Sequence, residues 1–263
     1  MLIKAKKSLG QNFLVDKNKI KLMVDLGNIS TDDEILEIGP GTGNLTDFIL
    51  KKKPKNFFVI EKDTKLANEL KKRFTNDLKV INEDVLKFDP SSLSKDKIIV
   101  YGNLPYNIST QILSKWITGF QTKIWYKKLI LMFQKEVADR ILAEPNNKKY
   151  SRISIITNWK LNVKKEFDLN PKCFTPIPKI HSTLLSFTPK KKFFLFKNPK
   201  NLEKITAIFF SHRRKKIRNS LKKIFNNSDK VAKELDLNLD LRPENLNPET
   251  YFKITKEFEK SIS

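Results

Sequence analysis

Between residues 34 and 143 the chain alternates short apolar runs with amphipathic segments, and this alternation limits the fold more than any other feature. The runs "EILEIG", "NFFVIE", "LKVIN", "KIIVYG" and "KLILMF" have strand length and are rich in Ile, Val, Leu and Phe. The segments "NLTDFILKKK", "TKLANELKKRF", "ISTQILSKWI" and "KEVADRILA" carry apolar residues three and four apart, the spacing of one helix face. Strands that alternate with helices build a parallel sheet covered by helices on both faces. "NVKKEFDL" and "STLLSFTP" read as a closing pair of strands. They are free to run antiparallel, because "PKCFTPIPK" between them is a loop broken by three prolines.

Beyond about residue 190 the strand signals fade. "NLEKITAIFFSHRRKKIRNSLKKIF", "DKVAKELDL" and "NPETYFKITKEFEK" are helical in pattern. The expected organisation is an α/β domain over residues 1–190 and a small all-α domain over 191–263.

Charge narrows the function. The 263 residues hold 52 Lys and Arg against 29 Asp and Glu, a net charge of +23. Such an excess points to a polyanionic partner, nucleic acid before membrane. Cys173 is the single cysteine, so no intramolecular disulfide exists. With it, His181 and His212 make no recognisable metal-ligand spacing, and neither histidine is given a catalytic role. The basic N-terminus lacks an apolar run behind it, and no stretch reaches membrane-span length. A cytoplasmic setting is the expectation.

In an open parallel sheet, ligands bind beyond the carboxyl ends of the strands. The first strand ends in "EIGPGTGN", where Gly39 and Gly41 let the backbone turn tightly and approach a ligand. A dinucleotide fingerprint would need glycine at position 44, which is Asn, and the nucleotide-triphosphate loop with its Lys-Ser/Thr pair is absent. Glu61 ends the second strand, where a carboxylate accepts from both hydroxyls of a ribose. Asp84 follows the third, positioned to accept from an adenine amino group, and Asn103 follows the fourth. Together they outline a cleft for a nucleoside without a phosphate chain, and S-adenosylmethionine meets that description.

The segment after the fourth strand, "YGNLPYNIS", holds an amide, backbone carbonyls and a ring, but no acid or base near neutrality. That set suits methylation of an exocyclic aromatic amine, whose lone pair is delocalised into its ring. Two acceptors on its hydrogens, the Asn103 amide oxygen and the carbonyl of Leu104 or Pro105, would draw the nitrogen toward tetrahedral geometry. Tyr106 would stack on the base. The step is a displacement governed by positioning and electrostatics.

With these residues in view, "LGQNFLVD", "EILEIGPGTGNLT", "VIEKD", "EDVLKFD", "GNLPYNIST", "FTPIPKIHS" and "SHRRKKIRNSL" together resemble the small-subunit (16S) rRNA adenine N6,N6-dimethyltransferases of the kasugamycin-sensitivity type. The resemblance runs from about Lys6 to the C-terminal helices. It implies a class I S-adenosylmethionine-dependent methyltransferase fold, Rossmann-like, with a seven-stranded mostly parallel sheet and a helical C-terminal domain. It implies dimethylation of two adjacent adenines in the 3′-terminal hairpin of small-subunit rRNA, with the ribosomal subunit or its precursor as partner and the chain acting as a monomer. By position, Asn12 and Leu14 would close over the cofactor, Gly39 would meet its amino-acid part, Glu61 its ribose and Asp84 its adenine. Phe174 would stack on an extruded base opposite Tyr106. Arg213, Arg214, Lys215, Lys216 and Arg218, with "KAKK" and "PKKK", would contact phosphates and fix register. Two rival readings are a large-subunit rRNA methyltransferase of the macrolide-resistance type and an assembly factor acting by binding alone. "RRKKIRNSL" argues against the first, and the intact cofactor motif with Asn103 against the second.

Overall fold

The computed structural model describes residues 10–75, 77–119 and 124–262. In chain order the elements begin with β1 (Phe13–Leu14), α1 (Lys17–Asp25), β2 (Glu34–Ile38), α2 (Asn44–Leu50), β3 (Asn56–Ile60), α3 (Thr64–Arg73) and β4 (Lys79–Ile81). Next come β5 (Ile98–Gly102), α4 (Ser109–Thr118), β6 (Tyr126–Gln134), α5 (Lys135–Leu142), α6 (Arg152–Lys160), β7 (Leu161–Leu169), β8 (Phe174–Thr175) and β9 (Ser182–Pro189). The chain ends in α7 (Lys200–Ser211), α8 (Arg218–Lys222), α9 (Ser228–Glu234) and α10 (Pro248–Ser261).

The strands form a seven-stranded sheet in the order β4-β3-β2-β5-β6-β9-β7, with β1 and β8 pairing apart. From β4 to β6 every pairing is parallel, and β9 joins β6 antiparallel. β7 lies beside β9 at the edge, where Glu166 accepts from Ser186 and Asp168 from Thr183. The central strands β2 and β5 are buried at all five positions, as expected where helices cover both faces. On one face Ile35, Val59, Ile99 and Ile130 pack with Ile20, Val24 and Ile49 of α1 and α2. Each such side chain contributes about 1.5–3 kcal/mol on burial.

The sheet order reverses direction between β2 and β5, and this switch opens a crevice above their carboxyl ends. Helices start there from short caps. The Asp16 carboxylate accepts from the Asn18 and Lys19 amides ahead of α1, and Asp63 accepts from the Lys65 amide ahead of α3. Gly43, at φ +80°, precedes α2. Helices α1 and α6 have no counterpart in the sequence reading. The buried residues of α6 mix polar with apolar, Ser154, Thr157 and Lys160 beside Ile155, Ile156 and Trp159, so no apolar face marks it.

By compactness the described residues divide into two units, those within 10–112, 124–138 and 163–189 in one and 113–119, 139–162 and 190–262 in the other. The chain crosses between them more than once. Residues 113–119 and 139–162 therefore group with the C-terminal helices, not with the rest of the stretch before residue 190. In this second unit Leu202, Ile205, Phe209, Leu221, Tyr251 and Ile254 are fully buried. Lys160 is buried too; its ammonium donates to the Ile117 carbonyl at 2.9 Å and lies 4.0 Å from the Trp159 ring centre. Burial lowers its pKa to about 8. The long helical pattern over 201–225 is broken: α7 ends at Ser211 and α8 starts at Arg218, with turns between. Among the described residues no helix is long and apolar enough to cross a membrane.

Candidate active site

Four successive strand ends and the N-terminal segment enclose one cavity in the first unit. Asn12, Gly39, Gly41, Glu61, Asp84 and Asn103 all line it. So do Leu104, Pro105 and Tyr106, which gathers nine of the residues singled out from sequence. The turn after β2 requires glycine. Gly39 and Gly41 have φ of +67° and +57°, and a Cβ at Gly41 would lie 2.6 Å from the Phe13 ring. The ring of Phe13 thus caps the glycine turn, a role not foreseen for it.

The Glu61 carboxylate is nearly buried and accepts from the backbone amides of Gly41 at 3.2 Å and Asp63 at 2.8 Å. Burial nevertheless raises its pKa. Asp84 accepts from the Leu86 amide at 3.0 Å and from the Lys62 ammonium at 2.8 Å. The bond from Lys62 lowers its pKa first, then that from Leu86. Under the glycine turn, the side chain of Glu37 accepts from the Thr46 hydroxyl at 2.7 Å. Burial chiefly pushes its pKa up to about 8, with the charges of Glu61 and Asp47 adding to the rise. A carboxylate in the interior of a buried strand, flanked by Leu36 and Ile38, was the available signal for Glu37.

Three cross-links tie the N-terminal segment to the strand ends. Gln11 donates to Asp63 at 3.2 Å, and Asn44 donates to the Leu14 carbonyl at 2.8 Å. The third is the most informative. Asn103 Nδ2 donates to the Asn12 carbonyl at 2.8 Å. An amide with its nitrogen so engaged leaves Oδ1 as its remaining acceptor. The Pro105 carbonyl accepts from the Ile108 amide at 3.1 Å, closing the turn before α4. Of the two backbone acceptors considered, Leu104 is thus the one not used by that turn.

Two sequence expectations are not met in this conformation. Leu14 turns its side chain into the apolar core, because alternate strand residues face opposite ways and Phe13 takes the cavity side. Phe174 pairs with Leu14 across β1 and β8, is 1% exposed, and belongs to the same core cluster. It does not line the cavity opposite Tyr106.

The basic run lies in the second unit and is not one solvated helix face, since residues 212–217 fall between α7 and α8. Arg213 donates to Glu244 at 2.7 Å and also reaches the Asn147 and Lys148 carbonyls. Lys216 pairs with Asp240 at 2.8 Å, and Arg218 approaches the same carboxylate at 3.9 Å. Arg214 and Lys215 make no ion pair among the described residues. The "KAKK" cluster at residues 4–7 lies outside the described residues. Among the described residues no group of three or more His, Cys, Asp and Glu could hold a metal.

The carboxylates of Glu61 and Asp84, a glycine turn against the cavity, and walls of Ile38, Ile60 and Val85 suit a purine nucleoside with no phosphate chain. This set of acceptors fits S-adenosylmethionine. Sheet order, cavity and the amide at the end of β5 define a Rossmann-like, class I methyltransferase. The family profile described as ribosomal RNA adenine dimethylase matches residues 2–260. The chain belongs to this family of S-adenosylmethionine-dependent rRNA adenine dimethyltransferases.

Similar proteins agree. A protein of Pelagibacter ubique named ribosomal RNA small subunit methyltransferase A is 56% identical, over 98% of both chains. One of the same name from a Wolbachia of Drosophila simulans is 40% identical over 95% of this chain and 92% of its own. A crystal structure of a dimethyladenosine transferase from Plasmodium falciparum superposes with a TM-score of 0.81 at 29% identity, covering 94% of this chain and 98% of that one. The 23S rRNA methyltransferase ErmE, at a TM-score of 0.69 and 19% identity over 95% of this chain and all of its own, shares the fold.

Proposed function

We propose that the protein methylates N6 of two adjacent adenines in the 3′-terminal hairpin loop of small-subunit (16S) rRNA, late in subunit biogenesis, giving N6,N6-dimethyladenosines. The observation that carries this reading is the Asn103 amide, held through Nδ2 by the Asn12 carbonyl, with Oδ1 left for the cavity. The names of the most similar relatives support the small subunit as substrate.

S-adenosylmethionine, when bound, supplies an electrophilic methyl group. Glu61 is suited to its ribose hydroxyls and Asp84 to its adenine amine, while Gly39, Gly41, Asn12 and Phe13 close around the rest. Asn103 Oδ1 and the Leu104 carbonyl accept the two N6 hydrogens of the target base, which directs the nitrogen lone pair out of the ring plane. Both acceptors are preorganised, Asn103 by Asn12 and Leu104 by the turn that Pro105 closes. Tyr106 offers a ring for the extruded base, worth ~1–3 kcal/mol in stacking. Phe174 supports this from behind by holding β1 in place. No residue of matched pKa is needed as a base, because the alkylated amine is acidic enough to lose a proton to water. Arg214 and Lys215, unpaired by carboxylates, are suited to rRNA phosphates, and the second unit is read as the rRNA-binding part. The protein acts as a monomer in the cytoplasm.

The test is methyl transfer from labelled cofactor to small subunits lacking the modification, with product nucleosides identified by mass spectrometry. Dimethyladenosine at adjacent positions in the 3′-terminal hairpin is the expected result. Transfer only to naked large-subunit RNA would overturn the choice of substrate. Tight particle binding with no transfer to any RNA would overturn the enzymatic reading.

A further inference from the structure

Tyr106 is held at both ends. The Ser109 hydroxyl donates to its backbone carbonyl at 3.2 Å, and its phenol oxygen lies 2.6 Å from Ser182 Oγ. Ser182 is the first residue of β9 and is fully buried. Its backbone sits in register with Gln134 on β6, and the neighbouring His181 carbonyl accepts from the Lys135 amide at 2.9 Å. The hydroxyl that meets the phenol is therefore mounted on a sheet strand rather than on a loop.

Tyr106 itself sits on the loop between β5 and α4. A ring on such a turn swings about χ1, and a hydrogen bond at its far end fixes where the ring lies; the plane of the ring follows through the preference of the phenol hydrogen to lie in it. A bond of 2.6 Å between hydroxyls is short and well formed. Burial raises the phenol pKa, so the neutral hydroxyl persists around neutral pH. In-line displacement is sensitive to placement, and a misalignment near 1 Å can lower a rate by roughly 10²-fold.

We propose that Ser182 is a positioning residue for methyl transfer. Its hydroxyl holds the Tyr106 ring in the place where the target adenine stacks, and it acts through the Tyr106 phenol alone. The proposal rests on the reading of Tyr106 as the platform for that base. It also gives the "KIHS" end of the proline loop a purpose: the loop delivers β9 with a hydroxyl at its first position.

The experiment is a double-mutant cycle with Tyr106→Phe, Ser182→Ala and the pair combined. Single-turnover methyl transfer to unmodified small subunits is measured at saturating cofactor, with S-adenosylhomocysteine affinity measured alongside. Each single variant is expected to slow transfer roughly 3- to 10-fold, the worth of one hydrogen bond. The double variant is expected to be no slower than either single, Ser182→Thr to retain the rate, and cofactor affinity to stay unchanged. Independent effects that multiply in the double variant would overturn the proposal. So would a wild-type rate in Ser182→Ala, or a loss of cofactor affinity accompanying its slower transfer. If Ser182→Ala does not fold, Ser182→Cys takes its place in the cycle, keeping the volume and weakening the bond.

A 2-aminopurine placed at the target position separates the two layers of the argument. An unchanged fluorescence response in Tyr106→Ala would refute the base platform itself. A changed response there, with multiplying rates in the cycle, would refute only the role of Ser182.

Discussion

Replacing Glu37 with Gln should make the protein more stable at neutral and alkaline pH. The Glu37 carboxyl is raised from 4.5 to about 8, chiefly by burial inside β2. Below pH 4.5 the folded and unfolded chains both hold its proton, and the group contributes nothing to the pH dependence. Between 4.5 and about 8 the folded protein keeps a proton that the unfolded chain has released. Stability therefore falls by ~1.4 kcal/mol for each pH unit in that window and levels off above it. By pH 7.5 the loss from this group reaches about 4 kcal/mol, a large share of the ~5–15 kcal/mol that holds a typical fold. Gln is neutral at every pH, and its Oε1 can take the hydrogen bond from Thr46 that Glu37 now accepts. Seating the amide NH₂ in an apolar strand costs about 1–2 kcal/mol. The net gain expected for Glu37→Gln at pH 7.5 is about 2 kcal/mol, shrinking and then reversing toward pH 5. Glu61 is also raised, but it is present in both proteins and cancels from the difference. Urea unfolding of both proteins from pH 5 to 8.5 measures that difference directly. Parallel stability curves, or a variant that loses stability relative to wild type as pH rises, would refute the linkage.

Other perturbations separate chemistry, cofactor and RNA. Asn103→Ala removes the amide acceptor and should lower methyl transfer by roughly 10²–10³-fold while leaving particle binding largely intact; loss of both together would count against that division. Gly41→Ala combines a left-handed backbone with a Cβ 2.6 Å from the Phe13 ring, so S-adenosylhomocysteine affinity by calorimetry should fall and stability should drop by about 2 kcal/mol. Arg214→Glu with Lys215→Glu should weaken subunit binding and flatten its dependence on salt with the melting temperature unchanged, whereas Arg213→Ala, which breaks the contact to Glu244, should lower the melting temperature by an amount equivalent to about 1–3 kcal/mol.

The sheet was legible because its signals are local. A strand such as "KIIVYG" is apolar along nearly all of its length, and the next helix declares its buried face within a few residues. Strand ends in such a sheet converge on one crevice, so Gly39, Glu61, Asp84 and Asn103 could be placed together from their positions alone. The helix α6 was not legible, because it buries Ser154, Thr157 and Lys160 beside its apolar residues, which erases the apolar periodicity that marks a helix. The break between α7 and α8 was not legible either. The Lys and Arg of residues 212–217 are good helix formers, and the contacts of Arg213 to Glu244 and to the 147–148 carbonyls that hold the turn come from far along the chain.

Residue order alone carried the parallel sheet, the identities of the groups at its strand ends, and the excess of positive charge. Which atoms those groups present came from contacts between distant parts of the chain. Asn103 is oriented by a carbonyl 91 residues away, and Tyr106 meets a hydroxyl 76 residues away. Leu14 and Phe174 go to the core because two short strands pair with each other. Periodicity lies in the order of neighbouring side chains, where it can be read. The direction of an amide or a ring depends on which distant backbone comes to lie beside it, and no spacing along the chain encodes that.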